Sequence, residues 1–177
     1  MLESIWSKVN DALELERGLR TAALQECLRE LENCVLPPES TSDYLHLLGY
    51  MHYFMYPQQL LEAEELFQQA LAIDPSNAYA RLYLGHCYYD GGEYKKAEET
   101  FLLVNKEDLP DFLRMKVDEM ILCCRINLSS LEERLGEVRA FINKYSSENY
   151  RDDYPFQLRK LLASNGLTLD DESLRTG

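Results

Sequence analysis

Two short motifs recur in phase along this chain, and that recurrence limits its architecture more than any other property. Ala63 and Ala97 stand 34 residues apart, as do Phe67 and Phe101, while Leu48-Gly49 and Leu84-Gly85 are separated by 36. A period of this length holds two short helices and their turns. Such a unit cannot bury its apolar face alone and must stack on neighbours. The local pattern agrees. Residues 43–56 form an apolar helical run, and Pro57 suits the first position of a new helix. Leu60, Ala63, Phe67, Ala70 and Leu71 then recur at helical spacing as far as Ile73. Asp74-Pro75-Ser76-Asn77 stops that helix and caps the next over 78–90, which Gly91-Gly92 closes. A partner follows over 93–105, with Tyr94, Ala97, Phe101 and Val104 inward. Four short helices joined by tight turns pack as antiparallel neighbours.

The first copy reads Leu48-Gly49-Tyr50-Met51-His52, then Ala63-Glu64-Glu65-Leu66-Phe67, then Asp74-Pro75. The second reads Leu84-Gly85-His86-Cys87-Tyr88, then Ala97-Glu98-Glu99-Thr100-Phe101, then Pro110. This pattern resembles the tetratricopeptide repeat, in which an aromatic, L-G-x-x-Y, A-x-x-x-F and Pro follow one another over about 34 residues. Small Gly and Ala let paired helices approach, Phe fills the gap, and Pro ends the second helix. Three departures stand out. Leu45 and Arg81 occupy the usual Trp position, His52 replaces Tyr, and the first copy has two extra residues around Met55–Gln59. The resemblance implies an all-α fold of antiparallel helix-turn-helix repeats stacked as a short right-handed solenoid.

The flanks read as helices of the same kind. Residues 2–16 place Leu2, Ile5, Trp6, Val9, Ala12 and Leu13 on one face, with Gly18 as the stop, and residues 21–35 follow before Pro37-Pro38. Residues 111–127 and 129–145 give a third pair by spacing alone. Residues 154–165 give a last helix, with Asp153 as cap, Pro155 in its first turn and Gly166 beyond its end, and Leu167–Gly177 is expected to fray. The expected organisation is a divergent pair at 1–40, two repeats at 41–110, a degenerate pair at 111–145 and a capping helix with tail at 146–177.

Composition narrows the partner. With 31 acidic against 18 basic residues the net charge is −13, which disfavours nucleic acid and anionic membranes and admits a basic protein. The opening residues show no secretory h-region, and the most apolar stretch, Tyr44 to Tyr56, is too short to span a bilayer. The five cysteines, Cys27, Cys34, Cys87, Cys123 and Cys124, are odd in number and include no C-x-x-C, so a reducing cytoplasm is expected. One buried thiol is expected of the adjacent Cys123-Cys124. His46, His52 and His86 show no zinc-ligand spacing, and Gly91-Gly92 lacks a phosphate-loop context. The Glu64-Glu65 and Glu98-Glu99 pairs share one repeat phase and read as a solvated face. No catalytic, metal or cofactor site emerges, so a non-enzymatic role is expected.

The resemblance implies a groove lined by the first helix of each pair. By position this gives Asp43, His46, Tyr50 and Tyr53 from one copy and Tyr79, Leu82, His86 and Tyr89 from the other, bordered by Asp90. Tyrosine offers large contact area with a polar tip and suits recognition. The alternative is that several of these side chains pack between the pairs. The Lys, Arg and Asn that clamp an acidic chaperone C-terminus in some relatives are replaced here by Tyr, His and Leu. The leading expectation is therefore a module that binds another protein or peptide. Two others are a neutraliser or dedicated chaperone of a basic toxin or secreted protein, and a self-associating structural protein.

Overall fold

The computed structural model describes residues 2–34, 41–55, 59–145, 155–171 and 174. Among the described residues there are nine α-helices and no strand, so the fold is all-α. The helices are α1 (Leu2–Leu13), α2 (Arg17–Glu32), α3 (Thr41–Phe54), α4 (Leu60–Ile73), α5 (Ala78–Asp90), α6 (Tyr94–Leu102), α7 (Asp111–Leu128), α8 (Leu131–Tyr145) and α9 (Phe156–Ser164). The chain divides within α5 into two compact units, Met1–Cys87 and Tyr88–Gly177.

In the first unit α3 and α4 lie in the closest contact. Gly49 is buried, and a Cβ there would come within 2.9 Å of Cε1 of Phe67 and 3.2 Å of Cβ of Leu66. Ala63, Phe67 and Ala70 are fully buried on the facing helix, with Leu47 and Met51 opposite. The motif residues therefore do what their sizes dictate: the small ones bring the backbones together, and Phe67 fills the space created. A buried polar knot ties the ends of three helices. Ser42 Oγ donates to the Ala70 carbonyl at 3.0 Å, and Asn77 Nδ2 donates to Ser42 Oγ at 3.1 Å. Asn77 Oδ1 accepts from the Ala80 amide at 2.9 Å, which caps α5. Asp74 orders the preceding turn by accepting from the Ser76 amide and hydroxyl, and those bonds hold its carboxyl below the usual carboxylate range. The α1–α2 pair is joined across its surface by Lys8 and Glu30 at 2.6 Å.

In the second unit α7 packs against α6, α8 and α9, so it is buried on several faces. Cys123 and Cys124 are both buried as a result, where one buried thiol was expected, and burial raises both thiol pKa values, that of Cys124 to about 12. Glu119 on the same helix is also fully buried. Its Oε1 accepts from the Leu158 amide at 2.9 Å in the first turn of α9, and its Oε2 accepts from Lys116 at 3.1 Å. A carboxylate at a helix N-terminus satisfies an orphan donor and complements the helix dipole.

Several helix ends differ from expectation for local reasons. Gly18 does not stop α1. It lies in the first turn of α2, because the chain reverses already at Glu14–Glu16, where the Leu15 carbonyl accepts from Arg20. The α6 helix ends at Leu102, and a 3-10 turn at Lys106–Asp108 follows, capped by Asn105. The segment after α9 is not frayed throughout. Gly166 adopts φ +72°, Leu167 and Leu169 pack on the core, and Leu174 is fully buried beside Leu158 and Leu162. Pro155 stands at the N-cap of α9. The roles given to Pro37-Pro38, Pro57 and Asp153 lie outside the described residues.

Two stability predictions follow from these contacts. Gly49→Ala forces a methyl into the Phe67 ring and should destabilise the protein by about 1–2 kcal/mol, overpacking outweighing the better helix propensity. Urea denaturation would read this, and an unchanged or raised midpoint would refute the close approach. Glu119→Leu removes the acceptor for α9 and should cost about 2–3 kcal/mol, with earlier proteolytic cleavage near Phe156 than in wild type.

Candidate functional site

Helical spacing carries Asp43, His46, Tyr50 and Tyr53 along one stripe of α3, and Tyr79, Tyr83 and His86 along α5. The two stripes meet within the first unit as one aromatic cluster. His46 lies 5.8 Å from Tyr79 and 6.1 Å from Tyr83, ring centre to ring centre. Tyr50 meets Tyr83 edge to face at 4.7 Å, and Tyr53 lies 6.1 Å from His86. Phe67 forms the floor, 6.0 Å from both His46 and Tyr83. Trp6 from α1 completes the cluster, 5.2 Å from His46 and 5.0 Å from Tyr50. Tilted and edge-to-face pairs of this kind add roughly 0.5–1.5 kcal/mol each beyond area burial.

Burial sorts the expected residues. Asp43 is exposed, Tyr79 is 38% exposed and Tyr53 is half-buried. His46 at 5%, Tyr50 at 9% and His86 at 8% are buried, and form the base of the face rather than its surface. Leu82 is fully buried and lines no surface, because its neighbour Tyr83 takes the stripe. Tyr89 and Asp90 belong to the second unit and are half-buried. There the Tyr89 hydroxyl accepts from Asn127 at 3.2 Å and its ring meets Tyr94 at 5.3 Å, and burial raises its pKa. Sequence reasoning missed Trp6, Phe54 and Tyr83. The 79/83/86 spacing was the available signal for Tyr83, whereas nothing local predicts that α1 delivers Trp6 to α3.

His46 is the chemically unusual member. Its Nε2 is buried without a hydrogen-bond partner, and desolvation lowers the imidazole pKa to about 4, so the ring is neutral at pH 7. His52, on the same helix, is half-buried and its pKa is also lowered by burial, against the opposing Glu62 carboxylate.

The second unit offers a different surface. A cleft of about 270 Å³ lies between α7 and α8, floored by Ile121, Leu122 and Phe141. Its charges are matched internally. Arg125 bridges Glu98 at 2.6 Å and Glu137 at 2.9 Å. Glu98, expected on a solvated face, is thus part of an ion-pair network. Burial alone would raise the Asp118 pKa, but hydrogen bonds from Lys106, Lys144 and Tyr145 hold it below the usual range. Among the described residues no cluster of His, Cys, Asp and Glu is arranged to hold a metal ion, and no helix is long and apolar enough to cross a membrane.

Residues 56–116, which include α4, α5, α6 and the start of α7, match the tetratricopeptide repeat family. That stretch is similar to the tetratricopeptide repeat. Curated proteins and solved structures gave no match. Tetratricopeptide repeats generally mediate protein–protein interaction and are typically not enzymes. The matched span holds the Ala63, Phe67, Gly85, Ala97 and Phe101 motif positions, while Gly49 lies ahead of it yet packs on Phe67 as the repeat requires.

The buried imidazole makes a pH prediction. Its folded pKa lies below the unfolded value of 6.5, so as pH falls the unfolded chain takes the proton first. Stability should be insensitive to this group above pH 6.5 and decline as pH falls toward 4, by about 3 kcal/mol in full. Denaturation of wild type and His46→Leu at pH 7 and pH 5 would check it. The variant should lose less stability between the two pH values, and equal losses would refute the assignment.

Proposed function

We propose that the protein is an interaction module that binds a basic protein or peptide segment through the aromatic and acidic face of α3 and α5. The observation that carries this reading is the meeting of Tyr53, Tyr79 and Tyr83 over His46 and Tyr50, with Asp43 exposed on the same stripe. Rigid aromatic side chains offer contact area at low entropic cost, which favours recognition over a fluctuating polar surface. Charge supports the choice of partner. Residues 1–87 carry 13 acidic and 5 basic side chains, a field that speeds encounter with a cationic partner. Neutralisation or escort of a single basic protein is the same chemistry used more narrowly.

The test is capture from native extract by wild type and by an Asp43→Asn/Tyr79→Ala double variant, both at solvent-exposed positions. A partner retained by wild type and lost by the folded variant supports the face. Its association rate should fall as salt rises from 50 to 500 mM, roughly tenfold or more for a steered encounter. A partner held equally by both proteins would place recognition elsewhere.

A further inference from the structure

Within the same face, one group has the geometry of an unfilled recognition point. His46 is 5% exposed, its Nε2 has no hydrogen-bond partner, and five aromatic rings lie within 6.1 Å of its centre. Buried polar atoms are nearly always satisfied, and an exception calls for a ligand, a water or a functional reason. Three of the surrounding rings reach the surface: Tyr79 is 38% exposed, and Trp6 and Tyr83 are half-buried. Asp43 is exposed one turn before His46 on the same stripe of α3.

These features select one chemical group. With the ring proton on Nδ1, the unpaired Nε2 of a neutral imidazole accepts a hydrogen bond, and a donor ligand satisfies it. The flanking π-faces favour a cation, or a planar group that stacks. The nearby carboxylate and the acidic field of the unit favour positive charge. An ammonium ion satisfies the charge but is compact and strongly hydrated. A guanidinium is planar, weakly hydrated and carries five donors, so it stacks on tyrosine or tryptophan while pointing an N–H inward.

We infer that the face recognises an arginine side chain of its partner, which stacks between Trp6 and Tyr79, donates to His46 Nε2 and is neutralised at the rim by Asp43. This rests on the interaction face proposed above and specifies what that face reads. Because Nε2 is closed to solvent, the contact requires the rings around it to part.

The sequence supplies its own probe, because Trp6 is the single tryptophan. The full-length protein would be titrated with blocked tri-arginine and tri-lysine peptides, following Trp6 emission, backbone amide shifts and the imidazole nitrogen resonances of His46. The expected result is tighter binding of tri-arginine by about threefold or more, the margin a desolvated stacked cation supplies. It should shift Trp6 emission and move the His46 Nε2 resonance. His46→Leu and Tyr79→Leu should each weaken tri-arginine binding by about tenfold, as loss of a hydrogen bond to a charged group predicts. Should His46→Leu fail to fold, Tyr79→Leu and the wild-type imidazole resonance decide the matter. Equal binding of both peptides, with amide shifts on α3 and α5 and a silent His46, would overturn the arginine assignment and leave the acidic face standing. Shifts confined to other helices would overturn both. No binding of either peptide would also overturn the arginine assignment, and the capture experiment would then judge the face alone.

Discussion

Gly49 and Phe67 set the geometry on which the candidate site depends. With no Cβ at position 49, α3 and α4 close until the Phe67 ring lies in the space a methyl would occupy. That ring also meets two other rings. Its plane lies nearly parallel to Tyr83, at 24°, and it supports His46 from below. The residue that fills the core of the repeat is therefore also the floor of the aromatic cluster. The proposed interaction face is an extension of the packing rather than an addition to it. Any change that tilts α4 moves the base on which His46 and Tyr83 rest.

The two units use charge differently. The second carries 18 acidic against 13 basic side chains, and a network there pairs Arg125 with Glu98 and Glu137, Arg134 with Glu137, and Lys106 and Lys144 with Asp118. Within that network the charges nearly cancel. The first unit has fewer cations than carboxylates by eight, and its ion pairs, such as Lys8 with Glu30 and Arg29 with Glu26, lie on the α1–α2 hairpin. The rings of α3 and α5 are thus set in an acidic surround. The excess of carboxylates is eight in the first unit against five in the second, which supports the proposed placement of recognition on the first.

Periodicity made the repeat core legible because one residue type at each position has one physical job. Ala63, Phe67, Ala97 and Phe101 are all fully buried, and α5 runs over Ala78–Asp90, the limits that the Asn77 cap and the Gly91-Gly92 turn imply. The surface was less legible. Helical spacing told which stripe of α3 faces inward but not how deep each residue lies, so His46 and Tyr50 were assigned to a surface they underlie. On α5 a one-residue choice between Leu82 and Tyr83 changes the face, and apolar character alone does not separate them. Trp6, Ser42 and Glu119 each reach partners 28 or more residues away, and tertiary contact of that reach leaves no local trace.

The buried polar groups separate structure from recognition. Ser42 and Asn77 lie inside the first unit, and each spends its hydrogen-bonding capacity on the end of a helix. Glu119 is fully buried in the second unit, and both carboxylate oxygens are engaged. These groups are what a folded interior requires, since an unsatisfied donor or acceptor costs about 1–3 kcal/mol. His46 Nε2 departs from that rule, as do Arg20 Nε, His52 Nδ1 and Gln59 Oε1. The surroundings of His46 would suit phenylalanine or leucine, which would fill the space without an orphan nitrogen. What sets His46 apart among them is its ring of aromatic faces and the exposed Asp43 carboxylate one turn away, the setting on which the proposed arginine contact rests.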